Sequence, residues 1–106
     1  MVKRNVPKEI IKLVSEYGKL IKKRGIKAER VILFGSYAKN LYRPSSDIDV
    51  CIVSKNCKDE YTMQVKLSKL TYDLDTRIQP HPVSLVDYVK NANPFISEIR
   101  RTGIAI

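Results

Sequence analysis

The sequence predicts an α+β fold with α/β-like layers, in which a small mixed β-sheet is flanked by helices. The apolar run 31–34 and the alternating stretch 47–53 have the length of strands, and stretches of helical period precede and follow them. Helices that alternate with strands cover the faces of a sheet in small proteins. Because 106 residues suit one compact unit, we expect residues 1–106 to form a single domain.

The first predicted element is a helix from Pro7 to about Arg24. Its apolar residues recur at helical spacing with lysine and glutamate between them, which predicts one buried and one solvent-facing side. Pro7 suits the first turn of a helix, and Gly25 follows a basic last turn, where helices commonly end. We expect this helix to be structural and to cover one face of the sheet.

Two strands follow, and a Gly-Ser turn separates them. Val31–Phe34 is a continuous apolar run of the kind found in central strands, and Gly35 and Ser36 end it. Residues 36–41 are predicted as a short helix or a turn, which Ser36 would cap. After a loop, the second strand runs from Asp47 to Val53, and its alternation assigns the aspartates and Ile48 to opposite faces.

The second half of the chain predicts a helix, an extended segment and a last helix. The first of these helices covers roughly Glu60–Leu74. Arg77–Val83 favours extended structure, and its two prolines confine such a strand to an edge of the sheet or are themselves confined to its ends. The pair Asn93-Pro94 is typical of a helix start, and that helix is expected to end near Arg101. The apolar tail, 104–106, is either a terminal strand or a plug in the core.

Composition bounds the function. Lysine and arginine number 20 against 11 acids, a net charge of +9, which either attracts polyanions such as nucleotides and nucleic acid or only keeps a lysine-rich surface soluble. No apolar run reaches the ~18 residues of a membrane span, and no signal-peptide core follows the basic stretch 1–5. Cys51 and Cys57 form no metal-binding pattern, and Cys51 is predicted to be a buried thiol. We therefore expect a cytoplasmic protein with no membrane association.

The candidate site joins the Gly-Ser turn to the second strand. Asp47 and Asp49 stand two residues apart, with Cα atoms ~6.6 Å apart in an extended chain, so their carboxylates can share a cation such as Mg²⁺. Alone, this pair is more simply a solvated strand start, and Gly35-Ser36 alone is an ordinary turn. Together they predict a nucleotide site, because glycine lets phosphate approach the backbone and turn N–H groups bind anions.

This combination resembles a known signature. Gly35-Ser36, ten further residues and then Asp47-Ile48-Asp49 are similar to the motif of the polymerase-β-like nucleotidyltransferase superfamily. At this length the chain resembles the minimal nucleotidyltransferase (MNT) family, whose members include antitoxins paired with HEPN-domain toxins. The segment before the motif and the Asn-Pro-Phe ending also fit that layout, so the resemblance covers most of the chain.

The resemblance implies a polymerase-β-like fold and a chemistry. It implies Mg²⁺, as two ions, held by Asp47 and Asp49, with the phosphates of ATP near Gly35 and Ser36. The reaction that it implies is transfer of AMP from ATP to a hydroxyl, which in the antitoxins is a tyrosine of the partner toxin.

Two positions depart from that pattern. The superfamily has a third carboxylate on a neighbouring strand, where Gln79 is expected here, and an amide supplies neither negative charge nor a base. Asp75 shares the alternation of Gln79 and is the alternative acid if that strand begins early. The glycine that follows the serine in the family is replaced by Asn40, which tolerates similar backbone angles. His81, the only histidine, is on the same strand; a role in proton transfer is open, but we favour a structural or solvated one.

Three functions remain open on this basis. The first is Mg²⁺-dependent transfer of AMP to a protein hydroxyl. The second is a catalytically weak module of the same fold that neutralises a toxin by binding it, which the missing third acid favours. The third, less favoured, is nucleic-acid binding through the basic surface.

Overall fold

The computed structural model describes residues 6–55 and 57–106. The basic stretch 1–5 and Asn56, which falls in the loop predicted after the second strand, lie outside the described residues. Within the described part, no helix combines the length and the apolar character that crossing a bilayer requires.

Eight elements follow one another along the chain. They are α1 (Lys8–Lys23), β1 (Arg30–Phe34), β2 (Ile48–Ser54), α2 (Glu60–Thr71), β3 (Ile78–Ser84), α3 (Leu85–Lys90), α4 (Pro94–Thr102) and β4 (Ile104–Ala105). The strands form a mixed sheet in the order β3-β2-β1-β4, in which β3 is parallel to β2 and the other neighbours are antiparallel. The predicted α+β class, with a small mixed sheet and flanking helices, is confirmed.

Most predicted boundaries agree with the structure. Helix α1 begins at Lys8, directly after Pro7, and ends at Lys23. Gly25, which follows it, has a φ of +86°. Asn93 caps α4 by accepting a hydrogen bond from the Ile96 N–H at 2.9 Å, as the Asn-Pro pair predicted. The C-terminal tail forms a strand, because β4 pairs with β1 at Ile32 and Leu33.

Two predictions were incomplete. Helix α2 ends at Thr71 and not at Leu74, since the next residues form a turn closed by hydrogen bonds such as Leu74 N–H to Thr71 O at 3.1 Å. Helix α3 was not predicted, because it has only six residues and none of them is buried, so it leaves no periodic apolar signal. Its cap is the Ser84 side chain, which accepts from the Asp87 N–H at 3.1 Å.

The two faces of the sheet carry separate cores. On one face, which we call the α1/α2 face, the side chains of Leu33, Val50 and Ile52 point toward α1 and α2. This face holds the larger buried cluster. The α4 face carries Ile32, Cys51 and Val53, and it packs on Ile96 and Ile99 of α4. Cys51 is fully buried, as predicted, and burial raises the pKa of its thiol to about 12.

Strand β3 is an edge strand, which is the first of the two alternatives that its prolines allowed. Its residues alternate between the faces in register with β2, so Gln79 pairs with Asp49, and His81 pairs with Cys51. These pairs lie on the α4 face, because neighbouring residues in a parallel ladder point to the same side.

Candidate active site

The turn after β1 has a backbone that glycine permits. Gly35 has a φ of +74°, in the left-handed region that other residues avoid. The turn is closed by the Lys39 N–H, which donates to the Gly35 carbonyl at 3.1 Å, and by the Leu41 N–H, which donates to the Ser36 carbonyl at 2.8 Å. Asn40 has a φ of +61°, so asparagine does take the left-handed conformation for which the family pattern has glycine.

Aromatic packing fixes this turn to the core. Tyr37 is buried in the α1/α2 face, and the ring of Tyr42 stacks on it with centroids 4.6 Å apart. On the other side, Lys39 forms an ion pair with Glu98 of α4 at 2.8 Å, and Arg101 also contacts Glu98. The hydrogen bond from Lys39, with a second from Arg101, lowers the pKa of Glu98.

The carboxylate of Asp49 lies against the Gly35 backbone. The register of β1 and β2 pairs Phe34 with Asp49, which places the next residue, Gly35, beside that side chain. A Cβ atom at Gly35 would stand 2.4 Å from Oδ2 of Asp49, closer than any side chain tolerates. Glycine is therefore required here for two reasons, its left-handed backbone and the space that the carboxylate occupies.

Asp47 and Asp49 flank a buried isoleucine at the start of β2. Ile48 is fully buried in the α1/α2 face, and its N–H donates to the Arg77 carbonyl at 2.9 Å, which fixes the backbone between the two aspartates. Asp47 is exposed to solvent, whereas the Asp49 side chain is only 29% exposed. The two predicted carboxylates therefore lie on adjoining backbone, one in solvent and one against the turn.

The structure separates the two candidates for the third acidic position. Gln79 is directly opposite Asp49 in the parallel ladder and is exposed. Asp75 lies in the turn before β3, because that strand begins only at Ile78. There it accepts hydrogen bonds from the Arg77 guanidinium at 2.9 and 3.2 Å, and these bonds lower its pKa. The residue beside Asp49 on the neighbouring strand is thus an amide.

His81 approaches Asp49 from the same strand. Its Nε2 atom lies 3.4 Å from Oδ1 of Asp49, and its side chain is 38% exposed. Its ring packs edge-on against Phe34, with centroids 5.0 Å apart, and lies 5.8 Å from the ring of Phe95. Sequence reasoning did not find these aromatic contacts, because Phe95 reaches the site only through the packing of α4.

An open groove of about 300 Å³ lies beside His81 at the β3 edge of the sheet. It is lined by Glu60, Tyr61, Gln64, His81, Pro82 and Phe95. The groove gives solutes access to the imidazole from the side of α2. The site therefore has a glycine turn, a half-buried carboxylate, an exposed carboxylate and an accessible histidine at one end of the sheet.

The sequence was compared with models of protein families, and the nucleotidyltransferase domain model matches residues 8–105. The chain belongs to the nucleotidyltransferase domain family. The enzymes of that family are nucleotidyltransferases. A relative from Methanocaldococcus jannaschii is 35% identical over 101 residues, which cover 92% of this chain and 99% of the relative, and its name is "putative protein adenylyltransferase".

Solved structures share the fold of this nucleotidyltransferase. A "putative nucleotidyltransferase" from Sulfolobus solfataricus superposes with a TM-score of 0.67 at 19% identity, covering 92% of this chain and 78% of that one. A chain of a toxin-antitoxin crystallised with AMP-PNP superposes with a TM-score of 0.55, also at 19% identity, covering 86% of this chain and 69% of the other. At this identity the likeness shows a common fold.

Proposed function

We propose that this nucleotidyltransferase transfers AMP from ATP to a hydroxyl group of a partner protein. The observation that carries the proposal is the contact between the Asp49 carboxylate and the Gly35 turn, because it joins a cation ligand to a phosphate-binding backbone. The name of the M. jannaschii relative, a protein adenylyltransferase, supports a protein acceptor.

The donor set fits the cation that the fold family implies. Asp47 and Asp49 would hold Mg²⁺, as two ions, and among residues 6–55 and 57–106 no group of three or more histidine, cysteine or acidic side chains could hold a metal by itself. This suits Mg²⁺, which prefers a few carboxylates together with substrate phosphates and water. When bound, the metal neutralises charge on the phosphates and orients the nucleotide.

The turn would hold the triphosphate. Because Gly35 has no side chain, phosphate oxygens can approach its backbone, and Ser36 offers a hydroxyl beside it. The acceptor oxygen attacks the α-phosphorus, the bond from that phosphorus to the oxygen that bridges to the β-phosphate breaks, and pyrophosphate leaves. The hydroxyl proton passes to solvent water, since Gln79 offers no base beside Asp49.

For the acceptor, we propose a tyrosine of a HEPN-type toxin, so that the chain acts as the antitoxin of a cytoplasmic pair. Two observations support this: the motif resembles that of MNT antitoxins, and a toxin-antitoxin chain with AMP-PNP has the same fold. The groove beside His81 is open, which suits an acceptor presented by another protein.

Gln79 favours a second candidate, a toxin-binding module with little or no catalysis. An amide pairs with Asp49 where a third carboxylate would add a charge and a base. In that case the chain would neutralise its partner by complex formation alone.

The test is incubation with Mg²⁺ and labelled ATP, with and without a co-encoded partner, followed by intact mass measurement. We expect the partner to gain the mass of one AMP, and we expect Asp49→Asn to lower the rate by about 10²–10³-fold or more. Asp73→Asn is the matched control, because Asp73 pairs with Arg24 at an exposed position on the α1/α2 side. Full transfer by the Asp47→Asn/Asp49→Asn double variant would refute the mechanism.

Neutralisation of the partner separates the two candidates. If Asp49→Asn neutralises the toxin as well as the original chain does, binding suffices and the second candidate is correct. If neutralisation is lost together with AMP transfer, catalysis is the function.

A further inference from the structure

The His81 imidazole is placed where a metal ligand would stand. Its Nε2 atom and Oδ1 of Asp49 are 3.4 Å apart, longer than a good N–H···O hydrogen bond. Two donor atoms each about 2.1 Å from one ion lie about 3.0–3.5 Å apart at octahedral to tetrahedral angles. The observed separation of 3.4 Å therefore falls within the range expected for two ligands of a shared cation.

The ring is held in this position by its surroundings. His81 is anchored in the ladder of β3 against Cys51 of β2, and Phe34 packs against the face of the sheet beside it. Phe34 in turn packs edge-on against Phe95, with centroids 5.5 Å apart, so two aromatic rings limit the motion of the imidazole. A ligand held by packing loses little conformational freedom when it binds a metal.

The chemistry of the ligands then changes the preferred ion. Gln79, beside Asp49, contributes no charge, so the side chains that meet at this end of β2 are one carboxylate and one imidazole 3.4 Å apart, with the exposed Asp47 preceding them in the chain. Magnesium favours oxygen ligands alone, whereas first-row transition ions also accept imidazole nitrogen. Of these, Mn²⁺ is the ion that also suits carboxylate, phosphate and water ligands.

We propose that His81 is a metal ligand together with Asp49, and that the site consequently selects Mn²⁺ over Mg²⁺. This inference rests on the proposed cation site, and it adds a ligand and an ion preference that the two-aspartate motif does not contain. The opposing description is a simple ion pair between a protonated His81 and Asp49, in which the imidazolium competes with any cation for the carboxylate.

The two descriptions predict opposite effects of removing the imidazole. If His81 is a ligand, its loss weakens Mn²⁺ binding. If it is a competing cation, its loss leaves Mn²⁺ binding unchanged or strengthens it. The test is therefore direct binding of Mn²⁺ by the full chain with AMP-PNP, measured by electron paramagnetic resonance, with no turnover required.

His81→Phe is the first variant, because a phenyl ring preserves the packing against Phe34 and Phe95 while removing both ring nitrogens. We expect Mn²⁺ affinity to fall by about tenfold or more, and Mg²⁺ affinity, measured by competition, to change by less than about twofold. His81→Asn is the second variant, and the urea midpoints of both show whether they remain folded.

Asp49→Asn distinguishes the inference from the proposed function. Loss of Mn²⁺ binding in Asp49→Asn but not in either His81 variant would overturn the role of His81 and leave the cation site intact. Unchanged binding in all three variants would overturn both the ligand role and the cation site. Equal weakening of Mn²⁺ and Mg²⁺ in folded His81 variants would overturn the ion preference.

Discussion

The two faces of the sheet differ in how polarity is distributed along the strands. On the α1/α2 face, buried apolar side chains continue along the whole length of β2, from Ile48 through Val50 to Ile52. On the α4 face, the paired residues of β2 and β3 change from polar to apolar along the same strands. In chain order these pairs are Asp49–Gln79, Cys51–His81 and Val53–Val83.

Strand β2 therefore contributes to the stability of the fold through one face and to the candidate site through the other. The uniformly apolar face stabilises the sheet, so the other face can carry polar side chains at one end of β2 and β3 without loss of the fold. That end contains the half-buried carboxylate of Asp49, and a cation bound there would offset the cost of partly removing this charge from water.

The largest expected effect is on the free energy of unfolding, when two neighbouring residues of β1 that point to opposite faces are each replaced by alanine. Leu33 is fully buried on the α1/α2 face, and Ile32 is nearly so on the α4 face. Leu33→Ala should lower the free energy of unfolding by about 4 kcal/mol, and Ile32→Ala by about 2 kcal/mol, because the smaller cluster can relax around a cavity. Urea denaturation measures both, and equal or reversed costs would remove the distinction between the faces.

Two glycines test whether the polar end of the α4 face depends on the turn. Gly35 and Gly25 both have positive φ, but a Cβ at Gly35 meets Asp49, whereas nothing lies within 4 Å of a Cβ at Gly25. Alanine at Gly25 should cost about 1–2 kcal/mol of stability, and alanine at Gly35 should cost more, because its Cβ also meets the Asp49 side chain. Only Gly35→Ala should also slow AMP transfer, by about 10²-fold, because it displaces the carboxylate.

If both alanine variants transfer AMP at the original rate, the contact between Asp49 and the turn does not matter for activity. If both alanine variants lose AMP transfer to the same extent, the loss reflects reduced stability and not the position of the Asp49 carboxylate.

A smaller effect is expected at the start of α4, where Ile96 packs into the buried cluster of the α4 face. Asn93→Ala removes the acceptor of the Ile96 N–H and should cost about 1 kcal/mol, measured by thermal or urea unfolding. Asn93→Asp retains an acceptor at the same position and should remain close to the original stability. An alanine variant as stable as the aspartate variant would contradict the cap.

The smallest effect is pH-dependent and lies outside both faces. Hydrogen bonds from Arg77 lower the pKa of Asp75, so the pair stabilises the fold above the ordinary carboxyl pKa, and this contribution is lost as the pH falls through the lowered value. Asp75→Asn should therefore cost at most about 1 kcal/mol at neutral pH. The cost should vanish in acid below that pKa, and a cost that persists there would have another origin.

Much of the fold could be predicted because its signals are local. The period of α1, the Asn93-Pro94 start of α4 and the prolines of β3 each act through neighbouring backbone, so spacing and residue type suffice. Helix α3 could not be predicted, since six residues without a buried side chain give no pattern. The end of α2 was misplaced because the turn beyond it continues helical spacing.

The residues of the candidate site could be predicted from the sequence, but most of the contacts between them could not. Gly35 and Asp49 were both identified from the sequence, but their contact depends on the antiparallel register of β1 and β2. Gln79 was expected beside Asp49, and the parallel register confirms that pairing. The approach of His81 to Asp49 could not be predicted, because it depends on the ring packing of Phe34 and Phe95, which are far apart in sequence.

The prolines of β3 also determine how this sheet can meet other proteins. The Ile78 N–H donates to the Asp75 carbonyl and not to β2, so the backbone of Pro80 and Pro82, which share its alternation, also faces away from β2, although both residues are buried. Neither has an N–H group, and that edge therefore has a gap in the row of donors that a foreign strand would need. This gap disfavours strand addition and edge-to-edge aggregation next to the site, so a protein partner would be recognised there mainly through side chains.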